Sequence, residues 1–159
     1  MSLIIGDSSA LIALATMNAL PLLSQLYDTV LVPESVYQEV TQAEKAYSFG
    51  LSQYLINAQC DLTTSETSKL LWLGQGEWDA IQLYQQKQAD VLLIDDQRAK
   101  RFAALQGVNM IGSLGILLLA KQADLIESVF PYIQRLQGSG VYLSPEVIRR
   151  VLEIAKEIS

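Results

Sequence analysis

Five acidic side chains carry the chemistry that this sequence has to offer: Asp7, Glu39, Glu77 and the adjacent pair Asp95-Asp96. Asp7 is the most informative. It stands in LIIGDSSALI, directly after one apolar run and directly before another, where an ionised group is costly unless something pairs with it. Ser8 and Ser9 offer hydroxyls beside it, and a helix N-cap is the plain structural alternative for the carboxylate. Asp95 and Asp96 repeat the pattern after VLLI. Capping the following helix accounts for one of that pair but hardly for both. The chain has no histidine and a single cysteine, Cys60. Serine–histidine and cysteine–histidine nucleophiles therefore lack their base, and a typical structural zinc site lacks its ligands. Any metal must be a hard one held by oxygen.

The elements that position these residues follow from the apolar pattern. SLIIG (2–6), TVLVP (29–33), DVLLID (90–95) and VNMIG (108–112) read as short strands, with an edge strand near 58–62. Helices are expected from Ser8 or Ser9 to about Met17, from Pro21, from Pro33 to about Tyr47, and around LSQYLI. Further helices are expected over Glu77–Gln88, up to Gln106 where Gly107 stops the helix, over SLGILLLAKQ, over 124–137, and from Ser144-Pro145-Glu146 onward. VYL (141–143) is a further extended piece. Strands alternating with helices predict an α/β fold, three layers α/β/α around a mostly parallel sheet, as one domain over 1–159. Ligands of such a sheet bind beyond the carboxyl ends of its strands. Asp7 and Asp95-Asp96 both end strands on that edge.

Helical phase selects the partners. At ~100° per residue, Ala80, Ile81 and Tyr84 of GEWDAIQLYQQ share a side with Glu77, while Asp79 falls opposite and reads as a solvated charge. In PESVYQEVTQAEKAY the buried stripe is Val36, Val40, Ala43 and Tyr47. Glu39 borders it, Glu34 points away, and Glu44 lies farther round. Four carboxylates gathered at one edge would repel each other, so some are protonated or a divalent cation sits among them. Oxygen ligands at this density suit Mg²⁺ or Mn²⁺, which activate water and stabilise the oxyanions of a phosphodiester displacement.

Composition sets the surroundings. Half of the residues are apolar and the net charge is −6, with a mean hydropathy of +0.24. This counts against a protein that coats duplex nucleic acid, which wants a basic surface. No apolar run reaches the ~18–20 residues of a membrane helix, and the N-terminus has no basic leader. The lone Cys60 fits a reducing cytoplasm. Arg98 and Arg101 share one flank of their helix near its start, where they can hold a phosphate next to the scissile one. A solvated face balancing Asp95 or Asp96 is the alternative. Trp72, Trp78 and Tyr84 offer stacking surface to unpaired bases, although helical aromatics more often serve a core or an interface. Trp78 lies off its helix's stripe, which points to an interface.

DSSALIALA, then LYDTVLVPESVYQEV, then LGQGEWDAIQLYQQKQADVLLIDDQRAKRFAALQGVNMIGSLGILLLAKQ, in this order over nearly the whole chain, resembles the PIN-domain superfamily. It looks most like the small prokaryotic branch with GxGE and LLIDD motifs. The resemblance implies a metal-dependent nuclease, in many relatives the ribonuclease toxin of a toxin–antitoxin pair, cleaving single-stranded RNA. It also implies an antitoxin protein as partner and a homodimer. The acidic set falls on Asp7, Glu39, Glu77 and Asp95-Asp96, with Ser8 or Ser9 as the hydroxyl beside the first and Ser113 as a supporting hydroxyl. Two departures keep alternatives open. The usual Asp-Ala of the third motif would align Asp79-Ala80 and compete with Glu77. The usual Thr-x-Asp appears as Ile94-Asp95-Asp96, which favours Asp96 by register and leaves Asp95 open. A catalytically silent relative working as a protein-interaction module is the competing reading, kept alive by the net charge of −6. A common aspartyl phosphatase wants an Asp where Ser9 stands, a receiver wants a lysine after its last strand, and a dinucleotide site wants a Gly-rich turn after the first strand.

Overall fold

The computed structural model describes residues 2–42, 44–62, 67–68 and 70–159. Five strands, β1 (Leu3–Gly6), β2 (Thr29–Pro33), β3 (Gln59–Cys60), β4 (Val91–Leu93) and β5 (Met110–Ile111), form one sheet in the order β3-β2-β1-β4-β5. Every pairing is parallel. The helices are α1 (Ser8–Thr16), α2 (Pro21–Leu26), α3 (Glu34–Thr41), α4 (Ser48–Tyr54), α5 (Gln75–Lys87), α6 (Gln97–Leu105), α7 (Ser113–Gln122), α8 (Phe130–Gly138) and α9 (Pro145–Ile154).

The strands are apolar on both sides because both sides are covered. Ile4, Val32, Val91 and Leu93 enter a core shared with α1 to α4 and α7 to α9. Ile5, Leu92 and Ile94 point the other way and meet Ala80, Ile81 and Leu83 of α5 and Ala99 and Ala103 of α6. The result is the expected three-layer α/β/α arrangement. Residue-by-residue alternation along each strand divides the side chains between the two cores. No described helix is long and apolar enough to cross a membrane.

Two expected helices are shorter, and one expected extended piece forms no strand. The helix from Pro33 ends at Thr41, not near Tyr47, and Glu44 takes a left-handed backbone (φ 49°) as the chain swings into α4. Tyr47 still packs on the first core, but from the N-cap of α4; Ala43 lies outside the described residues. The helix expected over 124–137 starts only at Phe130. Asp124 turns left-handed (φ 58°) after α7, and Pro131 in the first turn of α8 suits a helix beginning. Glu157 accepts from the Val129 N–H at 2.7 Å and the Phe130 N–H at 3.1 Å, satisfying donors at that new start. Val141–Leu143 is irregular and adds no strand.

Candidate active site

The sheet order reverses at β1, whose neighbours are β2 and β4. In an open parallel sheet such a reversal leaves a crevice beyond the strand ends. Asp7 follows β1 there, and its backbone N–H donates to the Leu93 carbonyl at 2.9 Å, tying it to the end of β4. Asp7 occupies the N-cap position of α1 with extended backbone (φ −103°, ψ 159°), yet its side chain makes no capping bond. The carboxylate is 2% exposed and its Oδ1 has no hydrogen-bond partner. Burial, and then repulsion from Glu77, Glu39 and Asp96, outweighs the nearby Ser8 N–H and pushes its pKa from 3.8 up to about 7. A structural cap has no need for this environment.

Asp7, Glu39, Glu77 and Asp96 line one cavity of about 390 Å³, with Ser8 and Ser9 at its wall. Each comes from a different element. Glu39 projects from α3 and accepts from the buried Ser8 hydroxyl at 2.9 Å. Glu77 sits in the first turn of α5, where its carboxylate accepts from the Gly74 N–H at 3.4 Å. Burial, and then the charge of Asp96, raises its pKa. The GxGE pattern acquires a steric reason here. A Cβ on Gly76 would meet Glu39 Oε2 at 3.0 Å and Val36 Cγ2 at 3.2 Å, so any larger residue would have to push the Glu39 carboxylate or Val36 aside.

Asp96 does two jobs. Its Oδ1 accepts from the N–H groups of Arg98 at 2.8 Å and Ala99 at 3.0 Å, capping α6, while the carboxylate borders the cavity. Asn caps about as well as Asp, whereas loss of a cap costs about 1 kcal/mol. Asp96→Asn should therefore leave thermal unfolding near wild type, and Asp96→Ala should lower the melting temperature by several degrees. Both should weaken cation binding, measured by calorimetric titration with Mn²⁺.

Other expected residues go elsewhere. Asp95 turns away from the cavity: it accepts from the Ser113 N–H at 2.8 Å and the Ser113 hydroxyl at 2.7 Å. A Cβ on Gly112 would fall 2.8 Å from Asp95 Oδ1, so the glycine leaves room for this carboxylate. Asp95 and the buried Ser113, expected as a ligand and a supporting hydroxyl, thus tie the end of β4 to the start of α7, and neither lines the acidic cavity. Asp79 is also corrected. It is 5% exposed and accepts from the Ser35 hydroxyl at 2.6 Å and from Gln75 Nε2 at 2.8 Å. The start of α5 meets the start of α3 at this point, so Asp79 is shielded from solvent.

Ser35 and Gln75 were missed as candidates; the one available signal was the i, i+4 spacing of Gln75 and Asp79. Trp78 does not await an interface: it stacks on Phe102 with ring centroids 6.2 Å apart and planes at 27°. Tyr84 accepts from the Asn109 N–H at 3.1 Å, a structural bond. Arg98 and Arg101 are exposed on α6, and neither guanidinium pairs with Asp95 or Asp96.

Among the described residues, no three acidic, histidine or cysteine side chains are gathered tightly enough to grip one ion together. The donor set still fits a hydrated hard cation. Mg²⁺ keeps several of its waters and takes only one or two carboxylates directly, and the orphaned Asp7 Oδ1 is a buried acceptor awaiting positive charge. Asp7, Glu39, Glu77 and Asp96 are the residues that would hold such an ion.

A family model, DUF3368, described as a PIN domain, matches residues 3–157. Neither a curated protein nor a solved structure matches the chain significantly.

Proposed function

From the premise that the chain belongs to the PIN-domain family, whose fold is of nuclease type, we propose that it is a Mg²⁺- or Mn²⁺-dependent endoribonuclease of the toxin–antitoxin kind, cleaving single-stranded RNA. The observation that carries this reading is Asp7, buried with an unpartnered oxygen among three further carboxylates at the sheet's reversal. A divalent cation bound there supplies the charge that stabilises developing phosphoryl oxyanions and makes water a better nucleophile.

The residues of the chain do the rest. Asp7 and Asp96 face the cation site from adjacent strand ends. Ser8 holds the Glu39 carboxylate in one orientation. Glu77, partly buried and with a raised pKa, is placed to take the proton of the attacking water. Exposed Ser9 stands at the rim, where a phosphate oxygen can accept from its hydroxyl. An antitoxin protein and a second copy of the chain are the partners implied, in the cytoplasm.

The loose spacing of the carboxylates favours one other reading, a silent relative that works by protein interaction. Incubation of an unpaired oligoribonucleotide with Mn²⁺ or Mg²⁺ separates the two. The nuclease reading expects internal cleavage that chelator abolishes and Glu77→Gln slows at least about tenfold. Absence of cation binding in the millimolar range, or binding with every unpaired RNA left intact, would give the site to the interaction module.

A further inference from the structure

A second surface runs along α6 away from the acidic cavity. Arg98, Arg101, Phe102 and Leu105 recur at helical spacing and share one face. With Trp72, which precedes α5, they line a groove of about 430 Å³. Trp72 is 44% exposed and meets Phe102 edge to face, with centroids 6.2 Å apart and planes at 81°. Phe102 also stacks on Trp78. The three rings therefore pack together, and nearly half of Trp72 stays open to solvent.

The charge on this wall is as distinctive. Arg98 and Arg101 are exposed, and neither guanidinium has an ion-pair or hydrogen-bond partner among the described residues, in a chain of net charge −6. The groove also begins where the cavity ends. The Arg98 N–H donates to Asp96 Oδ1 at 2.8 Å, and Asp96 lines the acidic cavity. From Arg98 to Leu105 the helix advances ~10 Å, so a strand leaving the cavity along α6 meets the two arginines and then the rings.

We propose that this groove binds an unpaired nucleobase against Trp72, with the adjoining phosphate held by Arg98 and Arg101. The proposal rests on the reading of the cavity as the place where RNA is cut. Each feature matches one part of a nucleotide. An indole face stacks on any base without regard to its identity, and guanidinium forks pair with phosphate oxygens. A base inside a duplex has both faces occupied, so the groove selects single strands. Two unpaired cations at the mouth also offset the repulsion that the four carboxylates exert on an incoming polyanion. A purely apolar partner would leave both guanidiniums unanswered.

Binding of a fluorescent oligouridylate, followed by anisotropy in chelator so that nothing is cleaved, tests this directly. Trp72→Ala is expected to weaken binding about tenfold and to leave the affinity for an abasic strand unchanged. The double variant Arg98→Ala/Arg101→Ala is expected to lower the slope of log affinity against log salt by about 0.7, one phosphate contact's worth on a single strand. The replaced side chains are exposed, so melting temperatures should match wild type and fix the comparison. The proposal is overturned if wild type fails to bind the strand, or if both variants bind it as wild type does. It is also overturned if Trp72→Ala abolishes self-association while RNA affinity holds, which would make the groove a contact between copies. The two readings fail separately. Groove-dependent binding with no cleavage under any metal removes the nuclease and keeps the groove, and cleavage unaffected by all three substitutions does the reverse.

Discussion

Asp7→Asn should make the cation-free protein more stable at pH 8 while lowering RNA cleavage at least about 100-fold. The two effects have one cause. The Asp7 carboxyl has a pKa of about 7 in the fold against 3.8 for the free group, chiefly because it is buried. A raised acid pKa means that the native state holds the proton more tightly than the unfolded state does. Below about pH 4 both states are protonated and Asp7 contributes no pH dependence. Between about pH 4 and 7 the unfolded chain ionises first, so stability falls as pH rises; above 7 the loss is complete, at about 4 kcal/mol. Asparagine carries no charge to desolvate, although its buried amide costs about 1–2 kcal/mol if left unpaired.

The net gain at pH 8 in chelator should be about 2–3 kcal/mol, with the pH dependence between 4 and 7 flattened. Added Mn²⁺ should stabilise the wild type, because a ligand of the native state shifts unfolding by mass action. The same addition should do little for the variant. Denaturant unfolding at pH 5 and pH 8, with and without Mn²⁺, gives all four values. An Asp7→Asn protein less stable than wild type at pH 8 in chelator would show that the buried carboxylate is paired by the protein itself.

Asp7 also shows what the sequence could disclose. A continuous apolar run followed by an acid identifies a doubly covered strand and its carboxyl end, and the second such run, VLLI before Asp95-Asp96, identifies the neighbouring strand on the same edge. The reversal of strand order between β1 and β4 then makes those ends adjacent. Short-range information was enough to bring Asp7, Glu39, Glu77 and Asp96 to one cavity.

What stayed hidden depends on contacts that one element cannot announce. Asp95 is drawn from the cavity by its partner Ser113, eighteen residues on. The late start of α8 depends on Glu157, from the far end of the chain. Trp78 looked unpartnered because its partner, Phe102, belongs to another helix. Helical phase divides a helix into the side facing the sheet and the side facing away. It is silent on what a neighbouring element brings to the helix's first turns, and there Ser35 of α3 closes over Asp79.

Removing the Asp79 carboxylate should therefore disturb the site more than its stability cost alone explains. Asp79 sits between Ser35 at the start of α3 and Gln75 at the start of α5, accepting from both. These helices carry Glu39 and Glu77. Asp79→Ala leaves two donors without their acceptor and opens a void, which should cost about 2–4 kcal/mol. Asp79→Asn keeps the shape and one acceptor oxygen, so about 1 kcal/mol is expected.

Leu14→Ala, in the core beneath α1, provides a control of similar size at about 2–5 kcal/mol; Leu14 is fully buried and not part of the cavity lining. If the Ser35–Asp79–Gln75 bridge sets the spacing of Glu39 and Glu77, Asp79→Ala should weaken Mn²⁺ binding about 10–100-fold at a temperature where the protein is fully folded. Leu14→Ala should leave it within about twofold of wild type, because a void deep in the core does not move the first turns of α3 and α5. Equal losses in the two variants would reduce Asp79 to a stabilising contact. Wild-type cation affinity in Asp79→Ala would show that α3 and α5 hold their spacing through Val36, Gly76 and the sheet alone.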